Sequence, residues 1–217
     1  MFERLFPAAG RSKLIDSAFA DVSKMLRQSA RMLDLAMGAL LEGRSLAVDL
    51  DDLDDVVDEG ERMVRRSVLE HLSFNPQQDL VASLVLVSMV QDAERVGDFA
   101  RGIAELVPLA KSERTGPFAD ELGEAARRLR PLFALCEEAF VEDDPDKARR
   151  VLQVYTDLKS ELLDYTRRVA ESDLGADMAV VYSGAARSLR RVGAHLANIA
   201  SSVVQPYDRI RHGDEEM

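Results

Sequence analysis

Apolar residues recur at three- and four-residue intervals through segments far longer than strands. "LIDSAFADVSKMLRQSARMLDLAMGALLEG", Leu14 to Gly43, is one such segment. A strand would alternate apolar and polar residues; this spacing instead lines one side of a helix, and a stripe of that kind has to be covered by other helices. Breakers are few, with 12 Gly and 7 Pro in 217 residues. An all-α fold follows.

Where breakers do occur, they mark helix ends. In "SFNPQQDL", Asn75 reads as an N-cap, Pro76 as the first helical residue and Asp79 as a first-turn carboxylate favoured by the helix dipole. "VEDDPDKA" repeats the device, with Asp144 before Pro145. Between them, "KSERTGPF" combines charge, Gly116 and Pro117 with a loss of apolar periodicity and reads as a linker. The chain divides there into residues 1–112 and 113–217, each unit large enough to bury its own core. Helices are predicted over about 12–42, 47–73 and 76–110 in the first unit and about 117–142, 145–171 and 174–205 in the second. Three antiparallel helices of such length bury one stripe each, so the predicted architecture is two tandem three-helix bundles. An internal repeat agrees: "AERVGDFARGIAELV" aligns with "SLRRVGAHLANIASSVV" through Arg-Val-Gly, and "SLAVDLDDLDDV" with "DKARRVLQVYTDL" when Ala47 is set on Ala148.

A net charge of -11 and a pI near 4.8 exclude nucleic acid as a direct partner, because phosphate backbones need clustered Lys and Arg. The single Cys136, inside "LFALCEEAF", reads as a buried thiol in a reducing compartment. The N-terminal "MFERLFPAAGRSK" lacks the apolar core of a signal peptide, and the longest apolar run, Leu80 to Val90, is shorter than a bilayer span. Cytoplasmic localisation is expected, with the membrane reached only through partner proteins. The terminal "RHGDEEM" reads as a solvated tail.

The stretch "DLVASLVLVSMVQDAERVGDFARGIAEL" resembles the PhoU signature, in which an Asp-Leu pair opens a helix and an E-R-[IV]-G-D segment follows about 15 residues later. Asp79 and Glu94 keep that spacing. In the preceding helix, "DDVVDEGE" matches the family's D-x-x-V-[ND]-x-x-E pattern through Asp54, Val57, Asp58 and Glu61. The resemblance spans essentially the whole chain as two three-helix repeats, and the first alone carries the specific motif.

Residues four apart share a helical face, so Glu94 and Asp98 point one way, as do Asp54 and Asp58 on the neighbouring helix. If the pairs face each other, four carboxylates converge with little basic compensation beyond Arg95. Protonation, ion pairing or a cation must relieve that repulsion. Oxygen-rich clusters suit hard cations, and helical bundles also hold iron through carboxylates. The resemblance implies metal binding at these motifs, which makes Asp54, Asp58, Glu94 and Asp98 the candidate metal ligands. The ion's identity stays open among iron, manganese, magnesium, zinc and calcium. A solvated acidic face is the competing reading of the same spacing. Asp51, Asp52 and Asp55 read as a solvent-facing run, Gly97 as the point where a neighbouring helix comes close, and His71 as a structural histidine; His195, near the degenerate second motif, is of only slightly more interest.

In the second repeat, Arg190 and Ala194 stand where the motif expects Glu and Asp. Ungapped alignment puts Tyr155 and Lys159 at the other two positions, whereas a two-residue shift would bring in Asp157 and Glu161. Under either register a second metal site is not expected, and the polar centre is expected to be neutral or closed by an Arg-carboxylate pair.

No catalytic motif is present: no G-x-S-x-G, P-loop, HExxH or CxxC. The resemblance implies a non-enzymatic, PhoU-type regulator of phosphate uptake and phosphate-starvation signalling, an adaptor between a phosphate transporter and a sensor histidine kinase. Two alternatives remain: an accessory regulator of a sodium-coupled phosphate or other ion transporter, and a carboxylate-bridged metal enzyme or storage bundle. A homodimer is the commonest outcome for exposed bundle faces.

Overall fold

The computed structural model describes residues 10–46 and 48–210. The segment 1–9, Ala47 and the tail 211–217 lie outside the described residues. Seven α-helices follow in order: α1 (Lys13–Glu42), α2 (Leu50–Phe74), α3 (Leu80–Ala104), α4 (Pro117–Leu129), α5 (Pro131–Glu142), α6 (Pro145–Ala170) and α7 (Ala176–Val204). Single 3-10 turns occupy Val107–Leu109 and Tyr207–Arg209, and among the described residues there is no strand.

Local chemistry explains most of the ends. Ser12 caps α1 by accepting from the Ile15 amide at 3.3 Å, and Gly43 ends that helix at φ 66°, a conformation that suits glycine. Asp144 caps α6 by accepting from the amides of Asp146 and Lys147, with Pro145 in the first helical position as predicted.

Two predicted boundaries need correction. The expected helix over 117–142 is interrupted at Arg130 because Pro131 has no amide proton to continue the ladder, so α4 and α5 replace it. Asn75 is not an N-cap, and Pro76 does not start α3. The Asn75 amide donates to the His71 carbonyl and closes α2, and α3 begins only at Leu80. Asp79 precedes that helix in a left-handed conformation, φ 53°, and its carboxylate accepts from the Ser12 amide at 2.9 Å. His71 is buried in the same corner, with Nδ1 at 2.9 Å from Ser12 Oγ and Nε2 at 2.9 Å from the Gln78 carbonyl. One knot of hydrogen bonds thus ties the start of α1 to the α2–α3 turn.

Helices α1, α2 and α3 form one three-helix bundle; α6, α7 and the kinked α4–α5 pair form the other. They are joined along α3 against α7 and α1 against α5, and a single apolar core runs through both. Phe19 of α1 and Phe140 of α5, both fully buried, meet at 5.0 Å between ring centroids across that junction. Truncating either ring would cost about 3–5 kcal/mol. Cys136 is free and buried, as expected.

Candidate metal centre

The candidate site lies on the seam between α2 and α3. Apolar spacing aims Val57 of α2 and Val96 of α3 into the core, where both are fully buried. That orientation leaves Asp54 and Asp58 on the adjoining flank of α2, and Glu94 and Asp98 on the facing flank of α3, all four half-buried. Gly97 permits the approach: a Cβ there would sit 3.3 Å from Val57 Cγ1, 3.3 Å from Ser29 Oγ of α1 and 3.4 Å from Asp54 Oδ1. Asp52 and Asp55 face solvent.

The electrostatics record the crowding. Burial raises the Asp54 carboxyl to about 6, with Asp98, Asp58 and Asp51 adding to the rise and Arg101 opposing it. Burial likewise pushes Glu94 up to about 7, helped by Asp98, Glu61 and Asp58 and opposed by Arg95. The four sequence-predicted residues therefore share one field, and Glu61 extends it.

Two arginines balance part of this charge. Arg95 donates to Asp98 Oδ2 at 2.7 Å and lies 3.5 Å from Glu94 Oε2. Arg101 was not anticipated from the sequence. It lies one turn beyond the motif, with its Nε 3.0 Å from Asp54 Oδ2, its Nη1 donating to Asp51 at 3.1 Å and its Nη2 3.9 Å from Asp98. Its contact with Asp54 is an ion pair without hydrogen-bond alignment. Held this way, no group of three or more described His, Cys, Asp or Glu side chains is arranged to hold an ion. The donor set itself, all carboxylate oxygen and half-buried, has the chemistry a hard cation takes, with Arg95 and Arg101 as the groups it would displace.

Sequence reasoning also missed Asp92, two residues before Glu94 and on the opposite side of α3. It is 3% exposed and accepts from His195 Nδ1 and Asn198 Nδ2 of α7, each at 2.8 Å. The His195 ring stacks on Phe99 of α3 with centroids 5.6 Å apart, and Arg191 caps the same Phe99 ring at 5.3 Å. The available signal was an acidic residue in core register between Met89 and Val96.

The second repeat adopts the ungapped register. Tyr155 packs on Gly193, where a Cβ would come within 2.7 Å of Tyr155 Cδ2, just as Asp54 borders Gly97. An aromatic ring therefore fills the place of a carboxylate. An Arg-carboxylate pair, Arg128 with Glu161, sits nearby between α4 and α6.

Residues 22–107, which contain all four candidate ligands, match the PhoU domain. A protein of Thermotoga maritima, named phosphate-specific transport system accessory protein PhoU homolog 1, is 29% identical over 198 residues, covering 85% of this chain and 83% of that protein. The chain carries a PhoU domain over residues 22–107 and is similar to PhoU homologues over most of its length. A PhoU homolog of Deinococcus radiodurans, named in the same way, is 26% identical over 189 residues, 82% of this chain and 87% of its own. PhoU from Pseudomonas aeruginosa has the same fold, with a TM-score of 0.80 at 22% identity over 92% of this chain and 98% of that one. The phosphate transport system regulatory protein PhoU from Streptococcus pneumoniae gives 0.76 at 18% identity, over 92% and 94%. The domain match ends before α4, so it stops short of the repeat in which Tyr155 and Arg190 replace the acidic positions.

Proposed function

We propose that this chain regulates phosphate uptake and phosphate-starvation signalling in the cytoplasm, acting by binding and not by catalysis. It works as an adaptor between a phosphate transporter and a sensor histidine kinase. The relatives' names, accessory proteins of phosphate-specific transport, support the transporter side of this reading. No helix among the described residues is long and apolar enough to cross a membrane; in this reading the chain meets the bilayer through partner proteins.

The observation that carries the mechanism is the half-buried carboxylate set Asp54, Asp58, Glu94 and Asp98 in the family-matching repeat. A hard cation held by these four residues would offset much of their charge and bind α2 to α3. Arg95 and Arg101 serve as partial internal counter-charges when no cation is bound, so the bundle can stand in two arrangements that differ at this seam.

The deciding experiment is deletion of the gene with measurement of phosphate uptake and starvation-gene output. Loss of phosphate-dependent repression is expected, and unchanged output refutes the regulatory role. Calorimetry with Mn²⁺ on the purified, chelator-treated protein tests the centre separately. Glu94→Ala and Asp98→Ala are expected to abolish binding, and unaltered binding in both would move the site elsewhere.

A further inference from the structure

The segment that joins the two repeats ends at a corner where hydrogen-bond donors gather without acceptors. Helix α4 opens on Gly116 and Pro117, and no side chain caps it. Pro117 has no amide proton, and the Asp120 amide donates to the Gly116 carbonyl. The amides of Phe118 and Ala119 between them find no acceptor among the described residues.

Two side chains extend the set. Tyr182 of α7 is 1% exposed, and its hydroxyl is buried with no hydrogen-bond partner among the described residues. Arg114, in the joining segment, buries its Nε in the same condition. Both stand at this corner. The Tyr182 ring lies 6.5 Å from that of Phe118, and burial raises the Tyr182 pKa while Arg114 opposes the rise and Asp120 adds to it. Leaving buried donors unpaired is costly, and folded proteins pair nearly all of them. Two in one corner therefore point to an acceptor that the chain itself does not supply.

The donors define its chemistry. A guanidinium, a phenol and the positive end of a 13-residue helix together present hydrogens and positive potential. Spread over three parts of the fold, they suit several acceptor oxygens on one centre better than a single-atom halide. There is room for such a group: a Cβ built on Gly116 would meet nothing within 4 Å, and Arg114 is only half-buried, which leaves a path from solvent. Asp120, the carboxylate that acts on Tyr182, is exposed on the first turn of α4, where water screens it.

We propose that this corner binds a small tetrahedral oxyanion, with Tyr182, Arg114 and the Phe118 and Ala119 amides as its donors. The ion ties the start of α4 to α7, and it is independent of the metal centre and of the regulatory role.

NMR titration of the ¹⁵N-labelled full chain at constant ionic strength tests it, with sulfate, phosphate and chloride added separately. Sulfate and phosphate are expected to move the Phe118 and Ala119 amide signals along saturating curves, and the tighter of the two names the ion. Chloride is expected to bind about tenfold more weakly or worse. Tyr182→Phe deletes a hydroxyl and keeps the ring, and Arg114→Gln removes the charge; each is expected to weaken oxyanion binding about tenfold or more. A second readout needs no ligand. With no hydroxyl left unpaired, Tyr182→Phe in oxyanion-free buffer is expected to melt no lower than wild type. Shifts that never saturate mark an adventitious ion only and overturn the proposal. So do binding that ignores both variants, chloride as tight as sulfate, and a Tyr182→Phe protein that melts lower, since the hydroxyl then has a partner within the chain.

Discussion

Replacing Glu94 by Gln removes the carboxylate that burial, and then its neighbours, raise furthest at this seam, and should stabilise the metal-free protein at alkaline pH. Glu94 is raised from its usual 4.5 to about 7 by burial first and by Asp98, Glu61 and Asp58 next. The folded state thus binds this proton more tightly than the unfolded chain does. Its contribution is most favourable below the unfolded value of 4.5 and is lost as pH rises through 7. The 2.5-unit difference (7 minus 4.5) sets a ceiling of about 3 kcal/mol. Solvent reaching an 18% exposed side chain reduces that to about 1–2 kcal/mol. The assay is urea unfolding of wild type and Glu94→Gln in chelator-treated buffer from pH 4.5 to 8. Because 39 acidic residues titrate together, the quantity to read is the difference between the two proteins at each pH. The variant should be the more stable by about 1–2 kcal/mol at pH 8, with the gap closing toward pH 4.5. A gap that does not change with pH, or a variant less stable at pH 8, refutes the crowding described at the α2–α3 seam.

Further outcomes follow from positions elsewhere in the structure. Arg101→Gln strips Asp54 of its counter-charge, so it should cost about 1–3 kcal/mol in metal-free protein at pH 8 and tighten Mn²⁺ binding, read by denaturation and calorimetry. Gly193→Ala places a methyl 2.7 Å from the ring of buried Tyr155, and overpacking of about 1–3 kcal/mol should offset or exceed the gain of up to about 1 kcal/mol in helix propensity. Gly102→Ala, with nothing within 4 Å of its Cβ, should show only the gain in the same unfolding assay. His195→Ala deprives buried Asp92 of one of its α7 donors and should cost about 2–4 kcal/mol, measured by thermal unfolding.

Residues whose roles are local were legible in the sequence. Asp144 and Pro145 act on amides two and three positions away, so their pattern alone predicts the start of α6. Asn75 and Pro76 carry the same pattern with a different result, because Asp79 spends its carboxylate on Ser12, a partner 67 residues distant that no local rule supplies. Pro131 was hidden by the unbroken apolar spacing of "RLRPLFALC" on either side. At the candidate site, the four-residue spacing correctly paired Asp54 with Asp58 and Glu94 with Asp98. Arg101 escaped because its contact with Asp54 depends on how α2 and α3 are rotated about their own axes, which periodicity leaves free. Tyr155 is a different case: the ungapped register sets Val151, Leu158 and Tyr165 on Leu50, Val57 and Val64, the two-residue shift sets polar residues there, and packing on Gly193 agrees with the former.

Asp92 and the pair Glu94 and Asp98 occupy opposite sides of one helix, and that has a mechanical implication. A helix transmits torsion along its whole length, so drawing Glu94 and Asp98 toward α2 turns Asp92 away from α7. A twist of about 10° displaces a side chain some 6 Å from the axis by about 1 Å, enough to break bonds that begin at 2.8 Å. Helix α3 is thereby placed to link the two repeats: a group that turned its charged edge would alter its hold on α7 at Asp92.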